Sequence, residues 1–417
     1  MAVGAQTTIT PAPRGRNPFP QTGVSRGQDG VLHYLDRPPS LIDLLESSVR
    51  RAPEAVAVAE VGGRRLTYGE LHARCSAVAG GLRELGVSRG DRVAIRLPNG
   101  LEWVIAFFGI QFAGAVAVPV NTRFTDEEAS YVISDAGCSY TFAPGVALPD
   151  GRPLREAGIG PGDLAAILYT SGTTGFPKGA MMTHENFLAN SESAIRVLQV
   201  DRAEGPTIAT LVSVPLFHVT GCNSQLIPLL EVGGRVLILE SALDFEGIVR
   251  AVNEEGANHL VTVPAAYYAL LHHPAFGRLE AERVRWIAYG GAPMPPELVG
   301  ALEKAFPNAR LGNGFGLTET SSLVSFLPHE EAASHPDSVG FAVPVVEIAI
   351  DPAEGEVGEL LVRGPNVVQG YWRKFKATRE AFVSGWFRTG DIARIDPDGL
   401  LYIVDRKKDM INRGGEN

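Results

Sequence analysis

From Ser40 onward the chain alternates between two periods of hydrophobic position. Leu41, Leu44, Leu45 and Val49 fall on one face of a helix that Ser40 is placed to cap. Thr67 and Glu70 have capping-box spacing, and behind them Leu71, Cys75, Val78, Leu82 and Leu85 recur at intervals of four and three until Gly86. Between the helical patterns lie short apolar runs rich in β-branched residues, at 92–97, 115–120, 207–214, 234–239 and 259–263. Such runs predict a layered α/β architecture with largely parallel sheets covered on both faces. Past Phe341 the strands come in close succession, at 346–350, 358–362, 387–395 and 400–404. The turn Asp396-Pro397-Asp398-Gly399 joins the last two as a hairpin.

These changes of pattern divide the chain into an α/β subdomain over 40–165, a second over 166–340 and a smaller β-barrel-like subdomain over 341–405. Residues 1–39 are rich in Gly, Pro, Arg, Thr and Gln, with too few apolar positions to offset the entropy of ordering them, so a disordered or loosely docked arm is expected. A hydrophobic content of 45% over 417 residues supports a large core. The net charge of -10 argues against nucleic acid as a partner. Cys75, Cys138 and Cys222 stand far apart with no metal-ligand spacing, as reduced thiols do. No signal peptide and no bilayer-length apolar run is evident, so no integral membrane segment and a cytoplasmic location are expected.

The chemistry concentrates in LYTSGTTGFPKG, Leu168 to Gly179. An apolar strand runs into Thr170, Ser171, Gly172, Thr173, Thr174 and Gly175, and Lys178 follows. Glycines let backbone N–H groups turn toward phosphate oxygens, the hydroxyls add donors, and the lysine adds a mobile positive charge. A Walker A loop is excluded, because the positions that should read Gly-Lys-Ser/Thr are Pro177, Lys178 and Gly179. Further on, Phe315 is suited to lie against a purine while Asn313 hydrogen-bonds its exocyclic amine, although a core aromatic beside a Gly312-Asn313-Gly314 turn reads equally well locally.

The loop resembles the signature of the adenylate-forming superfamily of acyl-CoA synthetases, luciferases and adenylation domains. YGGAPMP (Tyr289 to Pro295), NGFGLTET (Asn313 to Thr320), GELLVRGPNVVQGYW, GWFRTGDIARID and DRKKDMINRGGEN follow in the family's order. The resemblance spans about Leu66 to Asn417 and implies ATP, Mg2+ and CoA as cofactors. It implies that Gly291, Ala292, Pro293, Gly314, Phe315 and Gly316 border the adenine and that Thr318 serves the phosphates. Glu319 is implied as the metal ligand, with Asp391 accepting from the ribose hydroxyls and Arg406 near ribose and phosphate. Phe315 stands where the family more often has Tyr, a change that removes a hydrogen bond worth about 0.5–1.5 kcal/mol and leaves stacking.

His218, in PLFHVTG, occupies the place where amino-acid-activating relatives carry an aspartate, so an α-amino acid would lack its counter-ion. The implied substrate is a small-molecule carboxylic acid, fatty or otherwise hydrophobic. Its pocket is expected around His218, Val219, Gly221, Cys222, Val263, Gly290, Gly291, Gly316, Leu317 and Leu323, with Tyr267 and Tyr268 nearby. Residues 263–271 read equally as a buried helix without ligand contact. The expected reaction is in-line attack of the carboxylate on the α-phosphorus of ATP, followed in the full-length enzyme by transfer to CoA. Alternatives are an acyl-AMP ligase that loads a phosphopantetheinyl carrier protein, a luciferase-type oxygenase and a catalytically silent nucleotide-binding module; a homo-oligomer is compatible with each.

Residues 406–417 resemble the family's hinge, with Lys408 as its pivot. The C-terminal domain beyond it, which supplies a lysine in the family, is expected to be missing. Losing one such donor costs on the order of 10²–10³ in rate, so nucleotide binding with feeble adenylation is expected of this chain. The stretch between Ala136 and Thr170 is shorter than the family suggests, and an abbreviated strand or helix is expected there.

Overall fold

A computed structural model describes residues 9–170, 176–352 and 357–406, the last without its side chain. A five-stranded sheet has the order Cys138–Phe142, Arg92–Ile95, Val116–Pro119, Leu164–Thr170, Lys178–Thr183. Its pairs are parallel except the last, a hairpin in which Thr170 faces Lys178. A nine-stranded sheet runs Phe341–Ala342, Ser322–Leu327, Arg310–Leu317, Trp286–Gly290, His259–Thr262, Ala209–Val212, Arg235–Ile238, Val56–Glu60, Arg65–Thr67. Its interior is parallel, with antiparallel pairs at both ends. A third, antiparallel sheet joins Glu347–Asp351, Gly358–Arg363 and Trp386–Ile395, the last also pairing Phe382–Val383 and Leu401–Arg406.

The sheets do not respect the boundary expected at residue 165. Val56–Glu60 pairs with Arg235–Ile238 in the nine-stranded sheet, and Lys178–Thr183 closes the five-stranded one. Local hydrophobic pattern marks a strand but not the sheet that receives it, so the exchange left no trace in periodicity.

Helix Leu101–Phe112 is apolar nearly all round, apart from Glu102 and Gln111, which is the pattern of a helix enclosed by its neighbours. It sits in the main core, where Trp103 stacks on Phe107 at 5.3 Å. Helix Leu41–Arg51 starts on Ser40, whose hydroxyl accepts from the Asp43 amide. Its first residue, Leu41, donates its otherwise unpaired N–H to Nδ1 of His184 at 3.2 Å. His184 opens helix His184–Val197, directly after the strand that begins at Lys178. One imidazole therefore ties the first helix to the end of the candidate phosphate hairpin.

Over 9–39 the N-terminal segment is fixed to the body, in contrast to the expected loose arm. Phe19 and Tyr34 are buried, and Asn17 and Gln21 donate to the Ala342 and Pro344 carbonyls at 2.8 and 2.7 Å. Arg37 lies between Glu192 and Glu231, at 2.6 Å from each, and Arg202 joins the same two carboxylates. The Arg37 guanidinium also helps hold the buried Glu231 below its usual range. Composition missed this because two aromatic anchors and one shared ion network offset the ordering entropy of a polar segment.

No strand or helix forms between Phe142 and Leu164. The chain there lies flat on helix Tyr68–Glu84, with the Gly151 and Leu154 amides donating to the Ala77 and Ser76 carbonyls at 3.0 and 2.9 Å. The contact is so close that a Cβ on Gly80 would stand 1.9 Å from the Arg152 carbonyl oxygen. Gly80→Ala is thus expected to lower unfolding free energy by about 1–3 kcal/mol in a denaturant titration; an unshifted midpoint would show that the two segments are not in contact.

Burial pushes the imidazoles of His184 and His259 down to about 4. The unfolded chain takes up these protons first, so the associated stability is complete above pH 6.5 and is lost as pH falls toward 4, on the order of 3 kcal/mol for each group. Melting temperature measured from pH 7 to 4.5 should therefore fall, and less steeply in His184→Gln, which keeps an acceptor for Leu41 but does not titrate. Equal slopes in the two proteins would remove His184 from the account.

Candidate active site

Lys178 is the first residue of its strand, and its ammonium lies 5.0 Å from the centroid of the Tyr371 ring. Thr170 stands opposite it in the hairpin; Ser171, Gly172, Thr173, Thr174 and Gly175 lie outside the described residues. The base of the loop is pinned from the side. Asp135 accepts from the Tyr169 hydroxyl at 2.8 Å and pairs with Lys374 at 2.7 Å, while its carbonyl accepts from the Trp372 indole at 3.2 Å. Phe176, just after the loop, stacks on Tyr131 at 4.6 Å.

Glu319 occupies the short turn Thr318–Thr320. Its Oε1 accepts the Tyr371 hydroxyl at 2.7 Å and its carbonyl accepts the Val368 amide at 2.9 Å. Burial and the facing Glu319 carboxylate raise the Tyr371 phenol far above its ordinary range, so it is a fixed donor. Lys178 and Glu319, which stand 141 positions apart in chain order, are thus joined through one aromatic side chain.

The chain after Glu319 is strained. Ser321 and Ser322 have φ of 52° and 113°, left-handed values that cost a non-glycine residue about 1–3 kcal/mol. Buried amides hold them there: Asn223 donates to Ser321 O at 3.1 Å, and Asn366 donates to the carbonyls of Thr320 and Leu323 at 2.9 and 2.7 Å. Asn190 accepts from the Leu323 amide at 2.9 Å, and the Ser224 and Ser322 hydroxyls meet at 2.7 Å. The fold back of 317–323 brings the Ser322 carbonyl oxygen to within 1.3 Å of where a Cβ on Gly316 would be, so only glycine fits.

The remaining candidates cluster by strand end. Gly314 and Phe315 lie on Arg310–Leu317, with Gly290 opposite Gly314 on the neighbouring parallel strand and Gly291, Ala292 and Pro293 directly beyond its C-terminal end. Val263 follows the next strand, and His218, Val219 and Gly221 follow the one after it. Ligands of open parallel sheets bind at such carboxyl ends. Phe315 is half-buried and Gly291 and Gly316 are exposed, whereas the Asn313 amide is buried and donates to Ser338 O at 3.3 Å. Asn313 is therefore directed into a backbone contact, which its purine-binding expectation did not include. His218 caps the turn that follows it, its Nδ1 accepting from the Thr220 amide at 3.3 Å.

The residues expected around the acyl tail differ in their surroundings. The Tyr267 hydroxyl donates to the carbonyls of Leu260 and Ala288 at 2.8 and 3.0 Å, so this residue fastens its helix to the sheet, while Tyr268 is 58% exposed. Cys222 is buried in the main core, and burial raises its thiol pKa. Val263 and Leu317 stay half-buried, and Leu323 is nearly covered.

Asp391 is carried by the third sheet, where it is buried opposite Arg406 in register. Thr389 donates to the Leu360 carbonyl and accepts from the Asp391 amide at 2.9 and 3.0 Å, and the Glu359 carboxylate accepts from the Gly390 amide at 3.2 Å. The segment from Gly364 to Trp372 connects this sheet to Glu319 and Lys178. The Arg406 side chain and Lys408 lie outside the described residues. Sequence reasoning missed Tyr371, Asn190, Asn223 and Asn366. Tyr371 and Asn366 both lie within the run GELLVRGPNVVQGYW, but nothing local in that run marks either one.

The chain belongs to the AMP-binding enzyme family, whose model matches residues 45–158 and 147–372. Its relatives there are acyl-CoA ligases. It is 36% identical over 395 residues to a feruloyl-CoA synthase of Amycolatopsis sp, spanning 88% of this chain and 79% of that one. It is 32% identical to a long-chain-fatty-acid–CoA ligase of Escherichia coli O157:H7, over 92% and 79% of the two chains. Among solved structures, the inhibitor-bound N-terminal domain of FACL13 from Mycobacterium tuberculosis superposes with a TM-score of 0.81 at 31% identity, covering 88% of this chain and all of that one. The o-succinylbenzoate CoA synthetase MenE from Bacillus subtilis, in complex with the acyl-adenylate OSB-AMP, superposes at 0.79 with 26% identity over 89% of this chain and 100% of that chain. No helix of the described residues is long and apolar enough to cross a membrane.

Gly316→Ala is expected to push the 317–323 turn out of place and to weaken ATP binding at least about 10-fold by calorimetry while leaving the chain folded. Unaltered affinity would show that the close approach of Gly316 to Ser322 does not shape the site.

Proposed function

We propose that this chain binds ATP and a hydrophobic carboxylic acid, fatty or aryl, for activation as the acyl-AMP with release of pyrophosphate, and that in the full-length enzyme the acyl group then passes to the thiol of CoA. The observation that carries this reading is the convergence of Lys178 and Glu319 on Tyr371, beside a strained turn that glycine and buried amides hold in one shape. Phosphoryl chemistry of this kind asks a protein for positioning and charge stabilisation rather than for a covalent nucleophile.

Lys178 and Thr318 are suited to donate to α- and leaving-phosphate oxygens, assisted by the amides of the loop. Phe315 supplies an aromatic face for adenine beside the exposed backbone of Gly291, and Asp391, with Arg406, takes the ribose. His218, Val219, Gly221, Val263, Leu317 and Leu323 border the path of the acyl tail, and the lack of an acidic residue at His218 disfavours an ammonium-bearing substrate.

A divalent cation bridging phosphates needs one or two carboxylates from the protein, with phosphate oxygens and water as its other ligands. Tyr371 bonds to Oε1 of Glu319, leaving Oε2 for such a cation. Magnesium, when bound there, supplies neutralisation of phosphate charge. The cysteines take no part in this chemistry.

The test is pyrophosphate release by the full-length enzyme across short, medium, long and aromatic acids, with calorimetry of AMP and of a non-hydrolysable acyl-adenylate. Hydrophobic acids should support release, and Lys178→Ala should lower it on the order of 10²–10³-fold, with a much smaller loss of AMP affinity. Parallel assays with CoA and with a phosphopantetheinyl carrier protein identify the acceptor. Nucleotide binding that no acid converts into pyrophosphate would sink the catalytic reading.

A further inference from the structure

We propose that Tyr371 is a positioning residue that sets the spacing of Lys178 and Glu319 and holds Glu319 ready for a divalent cation, an inference that rests on the acyl-adenylating reading above. Lys178 touches the face of the Tyr371 ring and Glu319 touches its hydroxyl tip. Among the described residues, Lys178 and Glu319 make no ion pair with each other. A direct pair would occupy both the donor meant for phosphate and the carboxylate meant for metal. The aromatic ring gives each charge a separate partner on one stiff side chain with two rotatable bonds.

The seat of Tyr371 is itself fixed. Its amide donates to Thr378 Oγ1 at 3.0 Å, and its backbone forms an isolated antiparallel bridge to Ala180, two residues along the strand that begins at Lys178. The flanking residues extend that pairing, with Met181 N donating to Gly370 O at 3.0 Å and Trp372 N to Gly179 O at 2.7 Å. Phe382 packs edge-on against the ring at 5.9 Å. The same segment grips Glu319 at its backbone, through the Val368 amide.

Packing alone does not account for the residue. Phenylalanine would fill the same space, and a buried hydroxyl is costly unless it is bonded. Here the bond goes to a carboxylate, in the manner of the outer-shell partners that orient metal ligands. The strand bearing Lys178 and the turn bearing Glu319 belong to different sheets, and the Tyr371 side chain touches both residues.

Tyr371→Phe keeps the ring and removes the tip contact, whereas Tyr371→Leu removes both. The probe is Mn2+ binding to protein saturated with α,β-methylene-ATP, followed by electron paramagnetic resonance, with AMP affinity measured separately without metal. Tyr371→Phe should weaken Mn2+ about 10-fold and leave AMP affinity unchanged. Tyr371→Leu should in addition weaken α,β-methylene-ATP relative to AMP, because Lys178 loses its support.

A double-mutant cycle separates positioning from general packing. In a Glu319→Gln background, Tyr371→Phe should have no further effect on Mn2+, since the partner it orients is gone. Wild-type Mn2+ affinity in Tyr371→Phe, or a full additional loss in the Glu319→Gln background, overturns the proposal while leaving adenylation intact. A wild-type chain that binds neither AMP nor α,β-methylene-ATP removes the adenylating reading itself, and this inference with it.

Discussion

The site depends on three pieces of chain, from three sheets or their connections, meeting at the Tyr371 side chain. The strand starting at Lys178 belongs to the five-stranded sheet, the turn holding Glu319 to the nine-stranded one, and the segment ending at Tyr371 leads out of the third. A cation over the ring, a carboxylate on the hydroxyl and backbone bonds on either side fix their relative position. None of these contacts is large alone. An isolated cation–π contact contributes about 0.5–2 kcal/mol and a hydrogen bond to a charged group about 1.5–3 kcal/mol. Their effect comes from acting on one rigid group, so a shift of any sheet is felt at both charges.

Strain in the turn after Glu319 follows from the same constraint. To present Glu319 and then return as strand Ser322–Leu327, the chain must reverse within a few residues, and Ser321 and Ser322 take left-handed values to do so. Asn190, Asn223 and Asn366, each buried, spend their amides on backbone groups of this turn. They come from two helical segments and the connection out of the third sheet, so the surrounding fold over-determines a conformation that isolated chain would leave. Preorganisation of that kind suits a site whose contribution is placement.

Much of the scaffold was legible because it obeys local rules. The caps at Ser40 and Thr67, the runs at 92–97 and 234–239 and the hairpin at 396–399 each arise from a few adjacent residues. What local rules do not encode is partnership. Val56–Glu60 joins a sheet whose other parallel strands begin at Ala209, and the segment after Phe142 holds to Gly80 by close approach without any periodic signal. The order of 9–39 rests on Phe19, Tyr34 and Arg37, single residues whose partners lie far along the chain.

The candidate site shows the same division. Lys178 and Glu319 stand out in sequence because their motifs are short and contiguous, and the fold brings them together. Tyr371 does not stand out by composition, since a tyrosine between glycine and tryptophan reads as packing. Asn366 and Asn190 read as ordinary polar positions for the same reason. Their chemistry exists only where another segment presents a carboxylate or a strained carbonyl. Tyr267 shows the converse: its place near the expected acyl path suggested a ligand contact, yet its hydroxyl is committed to Leu260 and Ala288 beneath the sheet. A polar atom's role in this protein is decided by which partner the fold presents to it, and Tyr371 and Tyr267, two buried phenols, differ in role because one meets a carboxylate and the other two backbone carbonyls.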